Sequence, residues 1–258
     1  MHEISKTCYM DSIIKKAKEA LSDHPILYGA AKAVFGRVSQ YQERKEIEHK
    51  QQVFQENARE VLRLFVTCME EQGIKYTLAF GSILGAIREH GFIKYDLDID
   101  TAMWIDDFKP EMVEALERAG FTWLFSHKID DGRLGREDTF EYHGVRIDIF
   151  YFYPAVDQLP YCCDFLMEQG MELHQRLPRR LEIPFSRERR KVSFEGMEVY
   201  LPDNAEEFCE YRYGADYMIP NPDWKWDGEC EHIVEWREKI GVTESAKYPH
   251  GERQDTHI

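Results

Sequence analysis

The chain has 258 residues, 43% of them hydrophobic, which is enough for one sizeable core. Its formal net charge of −15 argues against a general nucleic-acid binder, which would present a basic surface. The six cysteines show no Cys-x-x-Cys spacing, and Cys162 and Cys163 are adjacent, so we predict reduced thiols. No signal-peptide core follows the N-terminus and no apolar run approaches a membrane span, so we expect a cytoplasmic protein, if membrane-associated then only peripherally at the inner face.

The N-terminal part is predicted to be helical. Apolar stripes predict one helix from Ser12 to Ser22 and a second from Ile26 to Val38. We interpret residues 1–40 as a helical extension that packs on the catalytic domain, and location on a membrane surface is the alternative.

A long helix is predicted from Tyr41 to Gln72, because its second half carries apolar residues at helical spacing. Gly73 would end this helix. A strand from Lys75 to Phe80 is then predicted to lead into the central motif of the chain.

Three aspartates alternate along the stretch that follows this motif. Because side chains of an extended strand alternate between faces, Asp96, Asp98 and Asp100 would share one face and leave the other apolar. Holding acids side by side costs Coulomb repulsion unless a cation lies between them. Hard oxygen ligands favour Mg²⁺ or Mn²⁺ over zinc, so we predict a divalent-metal site used in phosphate chemistry.

A Gly-Ser turn precedes these acids. Gly81 would let the backbone approach a ligand, and Ser82 would begin a short helix whose free N–H groups favour an anion. Donor phosphate would then lie between Ser82 and the metal. Arg88 is a candidate to hold a phosphate oxygen, with a surface salt bridge as the alternative.

A hairpin is predicted from Glu137–Tyr142 and Val145–Phe152 around His143-Gly144. Asp148 is the single acid of the second strand, among residues that belong in a sheet core. A carboxylate there is costly unless it is paired or bound to a cation. We therefore predict Asp148 as the third active-site acid, and a buried partner for an arginine is the alternative.

Three further elements are predicted after Asp148. They are a helix from Tyr161 to Arg180, a hairpin from Lys191 to Leu201 around Glu195-Gly196, and a helix from Pro202-Asp203 to Tyr213-Gly214. Asp203 and Glu206 are spaced as a capping box for the last helix. The basic run 187–191 is either a solvated face or a phosphate contact. Residues 247–258 form a polar tail.

The run from Gly81 to Arg88, with Gly91-Phe92-Ile93 and Asp98-Ile99-Asp100, resembles the LicD family of phosphotransferases, which is related to fukutin and fukutin-related protein. Asp148 matches the aspartate of a similar Asp-Ile-Phe segment in that family. A second LicD signature, Tyr-Gly-Asp-x-Tyr, is similar to residues 213–220 with one residue inserted.

Two departures from the family pattern leave the substrate open. Lys94-Tyr95 replaces the usual Pro-Trp, and Leu97 replaces the middle aspartate of an acidic triplet. A lysine beside the site could meet an additional anionic group.

The resemblance implies an α+β fold in residues 41–246, with a nucleotidyltransferase-type mixed β-sheet core flanked by helices. It implies metal-dependent transfer of a phosphocholine-like, polyol-phosphate or aminoethyl phosphate or phosphonate group. The donor would be CDP- or CMP-linked, and the acceptor a hydroxyl of a cell-surface glycan or its lipid-linked precursor, as in lipopolysaccharide, teichoic acid or capsule. The implied residues are Asp98, Asp100 and Asp148 for metal and catalysis, and Gly81, Ser82, Arg88, Asp96 and Tyr217 for substrate. Lys94, which departs from the family pattern, is a further candidate for substrate binding because of its charge.

Two other functions stay open at this point. One is a nucleotidyltransferase that moves a nucleoside monophosphate from a triphosphate to a small molecule or protein, and the other is a non-catalytic binding protein on the same fold. A choline headgroup would require an aromatic cage. The candidate cage residues are Trp104, Tyr217, Trp224 and Trp226, with packing as the alternative.

Overall fold

The computed structural model describes residues 25–154, 159–221, 224 and 232–246, with side chains described from residue 37 onward. The chain divides into two compact units, Met1–Lys50 and Gln51–Ile258. The expected helix from Ser12 to Ser22 and the tail 247–258 lie outside the described residues.

The first long element is a single helix, α1, from Pro25 to Glu71. We expected two helices here, but no proline or glycine lies between Val38 and Tyr41 to interrupt the first. Side chains 37–50 are all exposed. Beyond them α1 buries one stripe at helical spacing, made of Phe54, Ala58, Val61, Leu62, Phe65 and Met69. None of the described helices is both long and apolar enough to cross a lipid bilayer.

The rest of the described chain alternates short helices with strands. The helices are α2 (Phe80–Arg88), α3 (Glu111–Arg118) and α4 (Ala205–Tyr213), with a 3-10 turn at Ile105–Asp107. The strands are β1 (Thr77–Leu78), β2 (Asp98–Trp104), β3 (Thr122–Ile129), β4 (Gly135–Tyr142), β5 (Val145–Phe152), β6 (Tyr161–Leu166), β7 (Gln175–Glu182), β8 (Arg189–Phe194), β9 (Met197–Pro202), β10 (Ile233–Glu235) and β11 (Gly241–Ser245).

Nine of these strands form one mixed sheet in the order β1-β2-β5-β4-β3-β11-β7-β10, with β6 also paired to β7. β8 and β9 form a separate hairpin. The expectation of an α+β fold with a mixed sheet and flanking helices is confirmed. The sheet centre buries apolar side chains from neighbouring strands, among them Ile99, Ile147 and Phe140.

β2 and β5 are neighbours and run parallel, with Asp100 opposite Asp148. Parallel neighbours need a crossover connection, and here it consists of the 3-10 turn, α3, β3 and β4. The last part of the crossover, β4, returns antiparallel along the far side of β5. The crossover therefore supplies the strand that flanks Asp148.

Both predicted hairpins are confirmed. Tyr142 pairs with Val145 around His143-Gly144, and Phe194 pairs with Met197 around Glu195-Gly196. The turn residues adopt positive φ, as tight hairpin turns require.

The predicted helix from Tyr161 to Arg180 is wrong, because this segment forms β6 and β7, paired antiparallel. Tyr161, Cys162 and Cys163 are buried by that pairing, and aromatic and compact residues suit a sheet. Pro178 lies within β7, where it could not have continued a helix. Sheet pairing between distant residues overrode the local helical spacing.

Two element boundaries also differ from expectation. The strand predicted from Lys75 to Phe80 is reduced to Thr77–Leu78, because Phe80 turns the chain into α2 with φ of 33°. The capping box of Asp203 and Glu206 does not form, since α4 begins after Asn204 and has no side-chain cap. The side-chain Oδ1 of Asn204 instead accepts a hydrogen bond from the Ser186 N–H at 2.8 Å.

The four described cysteines, Cys68, Cys162, Cys163 and Cys209, are free and buried. Burial raises the pKa of each thiol, so all four are neutral packing groups at physiological pH.

His127 joins β3 to β11 at the centre of the sheet. Its Nδ1 lies 3.0 Å from the Thr243 hydroxyl, and its ring packs between Phe125 and Phe165. Burial, with a smaller contribution from Arg176, lowers the pKa of His127 to about 4. The unfolded chain takes up this proton first as pH falls, so His127 contributes stability above pH ~6.5 that is lost toward pH ~4.

We expect His127→Gln to flatten the pH dependence of unfolding between pH ~6.5 and ~4.5. The wild type should lose more stability than the variant across this window, by on the order of 2 kcal/mol. Urea unfolding at several pH values measures this difference. The exposed His49→Gln is the control and should follow the wild type, whereas parallel profiles for all three proteins would contradict the assignment.

Candidate functional site

The parallel pairing of β2 and β5 brings two acids together. Asp100 lies directly opposite Asp148, and Asp98, two residues before Asp100, projects from the same face of β2. Ile99 and Thr101 on the other face are fully buried. The alternation expected for β2 is therefore present from Asp98 onward, and it places three carboxylates on one face of two adjacent strands.

The start of α2 holds Asp100 in place. The Gly81 N–H donates to Asp100 Oδ2 at 2.9 Å, and the Asp100 N–H donates to Ser82 Oγ at 3.0 Å. A Cβ on Gly81 would lie only 3.2 Å from Asp100 Oδ2, so glycine permits this close approach. Ser82 is 1% exposed and lies within the first turn of α2 rather than at its start. Gly81 and Ser82 thus position Asp100.

Asp96 lies beside this group but outside β2. It belongs to the turn before the strand, where its Oδ2 accepts the Ile93 N–H at 2.9 Å. We expected Asp96 on the face of the strand shared by Asp98 and Asp100, and the turn removes it from that row. It still approaches the start of α2, because a Cβ on Gly81 would lie 3.8 Å from Asp96 Oδ1.

Asp148 is held from both neighbouring strands. On β4, Thr139 lies opposite Asp148, and its hydroxyl donates a hydrogen bond to Asp148 Oδ1. On β2, the Thr101 hydroxyl donates to the Asp148 carbonyl oxygen at 2.9 Å. These bonds orient the Asp148 side chain and strand toward the site. The alternative of a buried arginine partner is not what the structure shows in its described part, where no ion pair of Asp148 occurs.

Glu137 is a further acid that we did not single out from the sequence. It lies two residues before Thr139 on β4, so both project from the face that carries Asp148. It is half-buried and has no hydrogen-bond or ion-pair partner among the described residues. The signal was available, since a tight turn at His143-Gly144 fixes the pairing of β4 with β5 and therefore the face on which Glu137 lies.

Crowding shifts the pKa values of these acids upward. Burial, followed by the charge of Asp98, raises the pKa of Asp148 to about 7. Burial is also the main cause that raises the pKa of Asp96 to about 7 and the pKa of Asp98, which the Arg146 charge partly offsets. Burial and neighbouring carboxylates hold the pKa values of Asp100 and Glu137 well above their ordinary values. The site therefore resists full ionisation and favours a cation.

The donor set suits a hard divalent cation, because all its members are carboxylates. Among the described residues, no three His, Cys, Asp or Glu side chains are close enough together to hold a metal ion as they stand. Binding would therefore require the carboxylates of Asp98, Asp100 and Asp148 to turn toward a common point. Their identity and shared strand face are compatible with that movement.

Arg88 joins the end of α2 to the second signature. Its side chain is 7% exposed, with Nε donating to Glu89 at 2.8 Å and Nη1 donating to the Tyr217 carbonyl oxygen at 3.3 Å. The surface salt bridge that we considered for Arg88 is present, but the rest of its guanidinium is buried. Tyr217 is half-buried and experiences the charges of Glu206 and Glu210 rather than those of the central acids.

Lys94 is exposed and forms no ion pair in the described part of the chain. The structure therefore brings together Gly81, Ser82, Asp96, Asp98, Asp100 and Asp148, with Arg88 alongside.

Residues of the basic run 187–191 form ion pairs with nearby acidic side chains. The Arg187 guanidinium pairs with Asp106 and lies 4.0 Å from the centre of the Trp104 ring. Lys191 pairs with Glu198 at 2.9 Å, and Arg190 pairs with Glu206. These pairs favour the reading of a solvated, self-paired face.

An aromatic cage is not formed by the described candidates. Trp104 is 8% exposed and packs near Phe152 and Phe185, so packing is confirmed for it. The Trp224 ring packs against the Tyr213 ring, with centroids 4.9 Å apart. Trp226 lies outside the described residues.

We expect Asp148→Asn to stabilise the metal-free protein at pH ~8 by on the order of 1–2 kcal/mol. A carboxyl whose folded pKa is raised loses stability as pH rises from its unfolded pKa of ~4 through its folded pKa, and the amide removes this loss. The side-chain oxygen of asparagine can still accept a hydrogen bond from the Thr139 hydroxyl. Thermal unfolding at pH ~5 and ~8, with and without MgCl₂, measures the effect.

The variant should gain most at the higher pH and lose most of the Mg²⁺-induced rise in Tm. Asp131→Asn is the matched control, because Asp131 is exposed in the turn between β3 and β4, and asparagine tolerates its φ of 54°. Equal Mg²⁺ responses in wild type and Asp148→Asn would contradict a cation at this carboxylate.

Comparison of the sequence with known proteins identifies a matching family. The sequence model of the family described as LicD/FKTN/FKRP, nucleotidyltransferase domain, matches residues 73–204, about half of the chain. All the central acids lie within the matched region, whereas Tyr213 and Tyr217 lie just beyond it.

Individual relatives share less than 30% of their aligned residues with the chain. The chain is 28% identical over 197 residues to ribitol-5-phosphate transferase FKTN of Mus musculus, covering 73% of this chain and 41% of the relative. It is 26% identical over 174 residues to FKTN of Homo sapiens, covering 67% and 36%. It is 26% identical over 173 residues to ribitol 5-phosphate transferase FKRP of Homo sapiens, covering 64% and 32%.

The chain thus spans less than half the length of these relatives. The match to the family model nevertheless covers the Gly-Ser turn, the acids of β2 and the acid of β5 together. The protein belongs to the LicD/FKTN/FKRP nucleotidyltransferase-domain family.

Proposed function

We propose that this protein transfers a substituted phosphate from a CDP- or CMP-linked donor to a hydroxyl of a glycan or lipid-linked glycan, with Mg²⁺ or Mn²⁺ as cofactor. The observation that carries the proposal is the pairing of Asp100 with Asp148 across β2 and β5, beside Asp98 and the Gly81 amide. Three carboxylates on one face of two adjacent strands, next to a helix N-terminus, suit a metal-bound diphosphate once the side chains turn toward it.

Among substituted phosphates, a polyol phosphate is the headgroup that we favour. The curated relatives carry the name ribitol-5-phosphate transferase. Trp104, one of the candidates for a choline cage, is a packed core residue instead. A neutral polyol needs neither a cage nor a charge partner.

We assign a separate role to each residue of the site. Asp98, Asp100 and Asp148 would hold the metal, which when bound would offset the negative charge of the donor phosphates. The Gly81 amide holds the Asp100 carboxylate, and the Ser82 hydroxyl holds the Asp100 backbone. Arg88 would contribute a phosphate contact, and the exposed Lys94 would meet an anionic part of the acceptor.

Asp148 would also accept or relay the proton of the acceptor hydroxyl. Thr139 holds Oδ1 of Asp148, which leaves Oδ2 available for that proton. The acceptor oxygen forms a bond to the phosphorus that carries the headgroup, the bond from that phosphorus to the bridging oxygen breaks, and the nucleoside monophosphate leaves with that oxygen.

The test is to incubate the protein with MgCl₂ and CDP-ribitol, CDP-choline, CMP-aminoethylphosphonate, CTP or ATP, and to identify released nucleotides by mass spectrometry. We expect slow release of CMP from CDP-ribitol in the absence of acceptor. Asp98→Ala should lower this rate by about 100-fold or more, because it removes a carboxylate from the site. Asp106→Ala, an exposed aspartate outside the site, is the control and should retain the wild-type rate.

Pyrophosphate released from CTP or ATP would instead establish nucleotidyl transfer, which needs the same metal and in-line geometry. If every donor is inert and no nucleotide binds in the presence of MgCl₂, the non-catalytic alternative stands.

A further inference from the structure

The loop between α2 and β2, residues 89–97, leads directly into the central acids. Asp96 belongs to this loop and accepts the Ile93 N–H, and Asp98 begins β2 two residues later. The loop itself forms neither helix nor strand. Contacts from other elements therefore decide where the loop, and with it the start of β2, is held.

The tip of the β8–β9 hairpin supplies such contacts. Glu195 Oε1 accepts the Phe92 N–H at 3.1 Å, and the Glu195 N–H donates to the His90 carbonyl oxygen at 3.4 Å. The rings of Phe194 and Phe92 meet edge to face with centroids 4.8 Å apart. A Cβ on Gly91 would overlap Glu195 Oε1, so glycine lets the carboxylate reach the backbone of the loop.

Glutamate is not the residue that the hairpin turn itself favours at position 195. Glu195 and Gly196 are the two residues between the paired Phe194 and Met197, and both have positive φ, 51° and 74°. Two-residue turns of this kind favour asparagine, aspartate or glycine, which adopt positive φ more readily. What glutamate adds is the hydrogen bond to the loop, because asparagine is one methylene shorter. The choice of residue therefore serves the loop rather than the turn.

The loop also packs against α1 and α2. The ring of Phe54 on α1 meets the ring of Phe92 edge to face, with centroids 5.0 Å apart. A Cβ on Gly85 of α2 would lie 2.5 Å from the Gly91 carbonyl oxygen, so the helix lies tightly against the loop. Two helices and the hairpin thus hold one short segment, and Glu195 contributes a side-chain hydrogen bond to its backbone.

We propose that Glu195 is a positioning residue for the divalent cation, because its hold on the Phe92 amide fixes the loop that leads into Asp98. The Ile93 N–H that orients Asp96 is the next amide of this loop. Glu195 acts through the loop and not as a ligand. Partners that orient metal ligands change metal affinity by about 10- to 100-fold when they are mutated. The inference rests on the proposed function, since it concerns the cation which that function requires.

Glu195→Asn tests this, because it suits the turn better and shortens the side chain. The probe is MnCl₂, titrated into the metal-free protein without nucleotide, with unbound Mn²⁺ measured by its EPR signal. We expect Mn²⁺ to bind about 10-fold more weakly, while Tm stays at or above the wild-type value. A role in stability alone would leave the affinity for Mn²⁺ unchanged.

Two further variants make the result specific. Glu195→Gln keeps the length of the side chain and an oxygen acceptor, and should bind Mn²⁺ within about threefold of the wild type. Glu198→Asn makes the same chemical change on the same hairpin, where Glu198 is exposed and pairs with Lys191, and should match the wild type. Each variant is titrated at a temperature at which circular dichroism shows it folded, so a change in Tm cannot imitate a loss of affinity.

The outcomes separate this inference from the proposed function. Wild-type affinity for Mn²⁺ in Glu195→Asn overturns the role of Glu195 and leaves the transferase standing. An equal loss of affinity in Glu195→Asn and Glu195→Gln does the same, because glutamine retains the acceptor for the Phe92 N–H. A wild type that binds no Mn²⁺ overturns both the cation site of the proposed function and the role of Glu195.

Discussion

Mutual repulsion of carboxylates on two adjacent strands is the constraint on which the rest of the site depends. Asp100 and Asp148 face each other across a parallel pair, and each has been given neutral donors instead of a positive partner. A backbone amide at Asp100 and a hydroxyl at Asp148 fix the orientation of the side chains without neutralising their charge. The acids therefore resist full ionisation until a cation from outside offsets their charge.

The two faces of β4 show how the fold separates a structural acid from a functional one. Asp138 is fully buried and accepts hydrogen bonds from the Ser126 hydroxyl, Arg136 Nε and the Tyr151 hydroxyl. Its neighbour Glu137 projects from the other face and has none of these partners among the described residues. These two adjacent acidic residues therefore differ completely in environment, because side chains alternate between the two faces of a strand.

The site could be predicted from the sequence to the extent that it depends on local spacing. Alternation placed Asp98 and Asp100 on one face, and a lone acid in an apolar strand singled out Asp148, since both signals need only neighbouring residues. Glu137 was missed because its importance arises from strand pairing, although the tight turn at residues 143–144 fixes that pairing.

The same distinction, between local patterns and tertiary contacts, explains which parts of the fold could be predicted. The hairpins followed from their turns, and the buried stripe of α1 followed from helical spacing. The segment from Tyr161 to Arg180 was assigned to the wrong class because β6 and β7 are stabilised by pairing and burial, which outweighed a weak helical periodicity. The start of α2 at Phe80 depends on a positive φ at a non-glycine residue, which composition does not reveal.

The crossover between β2 and β5 has a consequence for how this site can be inherited. Because the crossover itself supplies β4, every acid of the group and the hydroxyl that orients Asp148 lie in one uninterrupted stretch of chain, from Asp96 to Asp148. Such a stretch can pass intact through gene fusion and rearrangement, while segments on either side are lengthened or exchanged. Longer relatives that match this chain over less than half of their own length are what such block inheritance would leave.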